Sequence, residues 1–210
     1  MAELIRRFHL TTSLDIGIYR GRSFFPQAIS HRMFTGGFVY GVDPYSMGEA
    51  VENDCGDLKD KVLEFASRLD FDGLYASVEA RIRALGLEHN AILLRKTSMQ
   101  AVPELVARDV FFDLIHVDGN HDTTRVMEDL DAYVPRLRPG GFVILDDISW
   151  DSVRPAYDRL SRAMTHVFER VDSRNDYAVF WAGGDRAAHL ALRALLAAIG
   201  RRWQLPRYRQ

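Results

Sequence analysis

Five short apolar runs separated by amphipathic stretches set the tightest limit on how this chain can fold. They are "SLDIG" (13–17), "GFVYGVD" (37–43), "AILLRKT" (91–97), "FFDLIHVD" (111–118) and "GGFVILDD" (140–147). Each is close to continuous in apolarity rather than alternating, as expected of strands covered on both faces. The pattern predicts an α/β protein whose parallel strands are joined by crossover helices, a doubly wound sheet. Between the last two runs, Met127, Leu130, Val134 and Leu137 fall at helical spacing, and "RPGG" is expected to end that helix. A helix is expected near 152–165. "HVFERVD" and "YAVFWAG", joined by "SRND", then predict a terminal antiparallel hairpin. Residues 45–90 are too long for a simple crossover, so "KDKVLEFASRL" and "YASVEARIRAL" are expected as two inserted helices. The organisation predicted is a domain over 1–183 with that insertion, then an Ala/Leu helix and basic tail over 184–210. The tail's Arg201, Arg202, Arg207 and Arg209 read as a solvated end, and its helix as packing on the domain or on a second subunit.

Composition narrows the function classes. A length of 210 residues suits one domain with a sizeable core. A net charge of −2 gives no global basic field for nucleic acid or a membrane surface. Of the 27 basic residues only Lys59, Lys61 and Lys96 are lysine, and the scattered arginines fit a GC-rich coding sequence better than a binding stripe. The lone Cys55 excludes an internal disulfide, and no run approaches a membrane span or a signal peptide. The expectation is a cytoplasmic protein.

In open parallel sheets, ligands sit outside the carboxyl ends of the strands. The first strand leads into "LDIGIYRGRSFF", where Gly17 and Gly21 allow a sharp turn close to a ligand. A helix beginning near Arg22 would offer free N–H groups. The spacing is Gly-x-x-x-Gly rather than the dinucleotide pattern, which favours a ligand with no diphosphate. Asp43, ending the second strand, is placed to accept from ribose hydroxyls. Asp118 ends the fourth strand, and Asp146 with Asp147 ends the fifth. Acids after strands are commonly helix caps. Here, however, neighbouring strands would crowd three carboxylates on one rim, which raises their pKa values unless a cation intervenes. An open all-oxygen site suits Mg²⁺ or Mn²⁺. His121 stands at a helix edge with a proton affinity suited to a general base, whereas His116, inside the strand, reads as structural.

With these motifs the chain resembles the class I S-adenosylmethionine-dependent methyltransferases. It is most similar to the metal-dependent O-methyltransferases, namely catechol O-methyltransferase and the macrolide- and aminocoumarin-sugar enzymes. The resemblance runs over about residues 13–183. It implies a Rossmann-like methyltransferase fold, a seven-stranded, mostly parallel sheet with the C-terminal hairpin. "LDIGIYRGRS" matches the family's first motif, which implies that Asp15 and Gly17 line the methionine end. Tyr19 and Ser23 would lie beside the carboxylate and Asp43 on the ribose, with Gly21 counted among the cofactor-binding residues. "KTSMQAVPEL" implies Ser98 and Met99 against adenine. Asp118, Asp146 and Asp147 map onto the family's metal ligands, Asp118 also bordering the cofactor. His121 lies where the catechol enzyme holds a proton-accepting lysine.

The implied reaction is methyl transfer from S-adenosylmethionine to a hydroxyl oxygen of a small acceptor, with Mg²⁺ or Mn²⁺ orienting that oxygen and His121 taking its proton. The likeness to sugar enzymes points to a sugar or glycoside of a bacterial glycan, a methylated mannoside or a glycosylated natural product. Residues 44–75 and 148–155 are expected around the acceptor, with Trp150 either core or stacking platform. A homodimer or higher homo-oligomer is expected, with no nucleic-acid or membrane partner. The rival readings are an NAD-dependent oxidoreductase, an iron-dependent hydroxylase using His116, Asp118 and His121, a binding protein with a decayed site, and O-methylation of a catechol or phenol.

Overall fold

The structure, a computed structural model, describes residues 1–54, 56–173, 175–183 and 186–202. Cys55 and the basic end at 203–210, including Arg207 and Arg209, lie outside the described residues, as do the side chains of Arg201 and Arg202. Seven strands form one sheet: β1 Thr12–Ile16, β2 Phe38–Val42, β3 Ala91–Leu94, β4 Phe112–Val117, β5 Leu137–Asp146, β6 Thr165–Asp172 and β7 Asn175–Trp181. Their order is β3-β2-β1-β4-β5-β7-β6, parallel except where β7 runs against β5 and β6. The parallel strands and the closing hairpin therefore follow the sequence expectation.

Alternate residues along the central strands enter two different cores. Ile115, Val117, Val143 and Leu145 pack beneath α5 Ser98–Ala107, α6 Thr123–Tyr133 and α7 Arg154–Ala163. Leu114, Phe142 and Ile144 face the other way, onto α1 Ala2–Phe8 and α8 Arg186–Arg202. In α6 the buried set is Val126, Asp129, Leu130 and Tyr133, an apolar stripe interrupted by one acid. α8 buries Leu192 and Leu196 against its own domain, one of the two expected packings.

Three sequence expectations need correction. First, "RPGG" does not terminate α6: the helix stops at Tyr133, passes through a short 3-10 turn, and Arg138–Gly141 already belong to β5. Gly140 takes φ +81°, and its N–H donates to Ala182, so these glycines bend a strand rather than cap a helix. Second, of the two inserted helices, α3 Lys59–Ser67 is an addition, but α4 Phe71–Ala84 is the crossover itself. It buries Val78 and Ile82 in a third core with Phe24, Phe25 and Leu87. Third, α1 was not expected at all. The first-strand helix, α2, spans Phe24–Ser30 and continues into a π-helical turn, His31–Thr35.

Candidate functional site

The first strand explains the cradle. β1 ends at Ile16, and Gly17 turns the chain at φ +86°. A Cβ built there would lie 1.7 Å from the Asp118 carbonyl oxygen, so the β1 and β4 loops press together and only glycine fits. Tyr19 follows at φ +48°. Asp43 holds this turn: its Oδ2 accepts from the N–H groups of Ile18 and Tyr19, both at 2.9 Å, and its Oδ1 from that of Tyr45 at 2.7 Å. Burial pushes the Asp43 pKa up, against the pull of those three donors. Over the mouth, the Tyr19 ring meets Phe65 of α3 with centroids 6.0 Å apart.

A cavity of about 1850 Å³ runs along this rim. Gly17, Tyr19, Ser23, Asp43, Ser98 and Met99 border it, as do Asp118, His121, Asp146 and Asp147. Ser98 opens α5 behind a capping box of Thr97 and Gln100. Two expected cofactor residues do not border the cavity. Asp15 is fully buried, held by the Ser23 hydroxyl at 2.8 Å and by His116 Nδ1 at 2.6 Å. The register explains this: Asp15 sits opposite His116 on the neighbouring strand, on the same face. Gly21 turns beneath, where a Cβ would strike the Phe25 ring at 2.4 Å. The segments expected around the acceptor border the cavity unequally. Residues 44–75 contribute Glu49, Glu52 and Phe65, but 148–155 contribute none among the described residues. The hairpin supplies Phe168, Arg170 and Tyr177 instead.

The parallel pairing of β4 and β5 brings the acids together. Asp118, Asp146 and His116 offer ligand atoms within 4.8 Å of one another, and so do Asp118, His121 and Asp147. The three acids expected around one cation thus fall into two sets sharing Asp118, each completed by a histidine. His116, held in the sheet by Asp15, turns its Nε2 toward Asp146 Oδ2 at 3.9 Å. His116, Asp118 and His121 together do not form such a set among the described residues.

Electrostatics test whether a cation fits. Burial raises the Asp118 pKa, and the carboxylates of Asp146 and Asp147 raise it further. The Asp146 pKa is raised too, first by burial, and Asp118 and Asp146 share a hydrogen bond. Carboxylates that raise one another in this way are ones that added positive charge would stabilise. Burial pulls His116 and His121 down. The Asp15 carboxylate nonetheless lifts His116 to about 9, and Asp147 with Glu52 lifts His121 to about 10. Oxygen donors short of positive charge, with imidazole beside them, suit a hard divalent cation.

Two cavity residues escaped the sequence reading. Glu52 comes from the segment after β2, where nothing in the local pattern marks it. Its Oε1 accepts from His121 Nδ1 at 2.7 Å. Asp129 left a readable signal, an acid on the buried stripe of α6. It is 3 % exposed, its Oδ1 has no hydrogen-bond partner, and burial pushes its pKa up to about 7.

A sheet of this order, with its antiparallel seventh strand and a cavity across the carboxyl ends of β1, β2 and β4, is the Rossmann-like methyltransferase fold. The chain belongs to the methyltransferase domain family whose model matches residues 14–148. A search of curated protein sequences found no match. Among solved structures, the O-methyltransferase from Bacillus cereus in complex with SAH is similar at a TM-score of 0.61 and 14% identity, covering 86% of this chain and 77% of that one. The O-methyltransferase TomG from Streptomyces achromogenes, involved in tomaymycin synthesis and solved with SAM, reaches 0.62 at 16% identity, covering 87% and 78%. The O-methyltransferase NovP reaches 0.61 at 17% identity, covering 87% and 76%. At these identities the likeness is one of fold.

Proposed function

We propose that the protein transfers a methyl group from S-adenosylmethionine to a hydroxyl oxygen of a small acceptor, a sugar or glycoside. The observation that carries this reading is the meeting, on one rim, of the Gly17 cradle with the acid–histidine cluster. Gly17, Tyr19 and Ser23 would receive the methionine end, Asp43 the ribose, and Ser98 with Met99 the adenine. Asp15 acts from beneath, fixing Ser23 and His116. Structures similar to this one were solved with SAM and SAH, which supports that cofactor.

Asp118, Asp146 and Asp147 would hold Mg²⁺ or Mn²⁺. When bound, such a cation would orient the acceptor oxygen, lower its proton affinity and offset the carboxylate charge that keeps His121 protonated. The rest falls to the chain's own residues. The sulfonium already carries a good leaving group, so alignment with an oxygen about 3 Å away supplies most of the rate. His121, as the neutral imidazole, takes the proton from the acceptor, a step worth about 10²–10⁴-fold.

The test is turnover of labelled S-adenosylmethionine against a panel of glycosides and catechols, with NAD and 2-oxoglutarate as calorimetric controls for binding. Methylation of glycosides is expected, and methylation of catechols alone would overturn the sugar assignment. EDTA and Asp147→Ala should each abolish turnover while leaving cofactor affinity nearly unchanged. Full activity in EDTA would remove the metal from the mechanism.

A further inference from the structure

We propose that Glu52 is a positioning residue for His121, and that the segment 49–54 is a strap that assembles the reactive turn rather than simply walling the acceptor. This rests on His121 being the proton acceptor. Glu52 is only 8 % exposed, and a carboxylate taken out of water needs a partner to offset the cost. His121 is such a partner, engaged twice. Oε1 accepts from His121 Nδ1 at 2.7 Å and lies 3.3 Å from the His121 backbone N–H, which also donates to it.

Holding Nδ1 in this way assigns the reactive role to Nε2 and sets the ring plane. Nε2 lies 2.7 Å from Asp147 Oδ2, on the acid side of the cluster. Trp150 supports the ring from another side, its centroid 4.7 Å away at 35°.

The neighbouring residues repeat the pattern in both directions. Asn120 Nδ2 donates to the carbonyls of Glu49 and Val51, at 3.2 and 3.0 Å. Asp122 Oδ1 accepts from the N–H groups of Asn53 and Asp54, at 2.5 and 2.7 Å. Asp54 returns the contact, its Oδ2 accepting from Thr123 N–H at 3.1 Å at the start of α6, where Asp122 makes no side-chain cap. Residues 120–123 are therefore fastened to 49–54, a segment some seventy positions away in sequence. A carboxylate that orients an imidazole through Nδ1 while Nε2 faces the substrate is the working arrangement of acid–histidine pairs in general-base catalysis.

The experiment uses the 210-residue chain labelled with ¹⁵N-histidine. The His121 ring signal is identified by its loss in His121→Ala. In the wild type its Nδ1 proton should be present and slow to exchange. Glu52→Ala should expose that proton to exchange, and Glu52→Gln, whose amide oxygen can still accept, should restore part of the protection. An unchanged His121 signal in a folded Glu52→Ala protein overturns the proposal. If Glu52→Ala does not fold, equal exchange in Glu52→Gln and a fully exposed histidine overturns it.

Turnover with S-adenosylmethionine gives a second reading. Glu52→Ala should lower kcat about 10²-fold with KM for the cofactor little changed. The same change made in His121→Ala should cost nothing further. A loss that persists in that background means Glu52 acts elsewhere. Near-normal turnover of His121→Ala would instead overturn the base assignment, while the ring-proton result would still report whether Glu52 holds the histidine.

Discussion

Single residues here carry opposing demands of packing and charge. Asp129 is the plainest case: it occupies the buried stripe of α6 beside Val126 and Leu130, with the Ser98 hydroxyl and, more weakly, the Arg125 charge to help its carboxylate. Its folded pKa of about 7 exceeds the ordinary aspartate value, so the native state binds a proton that the unfolded chain has released. Stability attributable to Asp129 is therefore fully present below about pH 4 and is lost as pH rises toward 7. Asp129→Asn removes that loss: its melting temperature should exceed the wild type's by several degrees at pH 8, with the gap closing toward pH 4. Equal melting temperatures at pH 8 would show that the carboxylate is better solvated than its burial implies. The acid on an apolar stripe was visible in the sequence. Glu52 was not, because its burial comes entirely from contact with a turn far along the chain.

At the scale of elements, the strands were legible and the connections only partly so. β1, β2, β4 and β5 are covered on both faces, so apolarity alone located them. α4 shows what periodicity misses: its buried positions, Val78 and Ile82, made it the β2–β3 crossover rather than half of an insertion. Its start is set by Asp70, whose side chain accepts from Gly73 N–H at 2.9 Å. Asp70→Ala should cost about 1 kcal/mol. That corresponds to a fall of roughly 2–4 °C in melting temperature by calorimetry for a chain of this size. Cofactor affinity should not change, since Asp70 does not border the cavity. The cradle behaves differently: Gly17→Ala places a Cβ against the Asp118 carbonyl and should weaken S-adenosylhomocysteine binding by roughly tenfold or more, from strain of a few kcal/mol. Titration calorimetry on the two variants separates a cap from a cradle.

For the whole molecule, the question is what covers the face of the sheet opposite α5, α6 and α7. α1 and α8 do so, with Leu4, Ile5, Leu192 and Leu196 closing over Leu114, Phe142 and Val179. Because α8 packs on its own domain, Leu192→Ala should destabilise the chain by about 2–4 kcal/mol. The loss should be the same at all protein concentrations. A concentration-dependent loss would mean that the helix also closes an interface between copies. Among the described residues no helix is long and apolar enough to cross a membrane.

Sequence alone determined the α/β class, the strand positions, the hairpin and the acids at the strand ends, because each follows from local burial pattern and backbone chemistry. Tertiary structure decided which of those groups meet. The β1–β4 register buried Asp15 against His116, the β4–β5 pairing divided the acids into two sets around Asp118, and a distant strap placed Glu52 on His121. Contacts between residues remote in sequence depend on register and loop path, and a linear pattern of side chains carries neither.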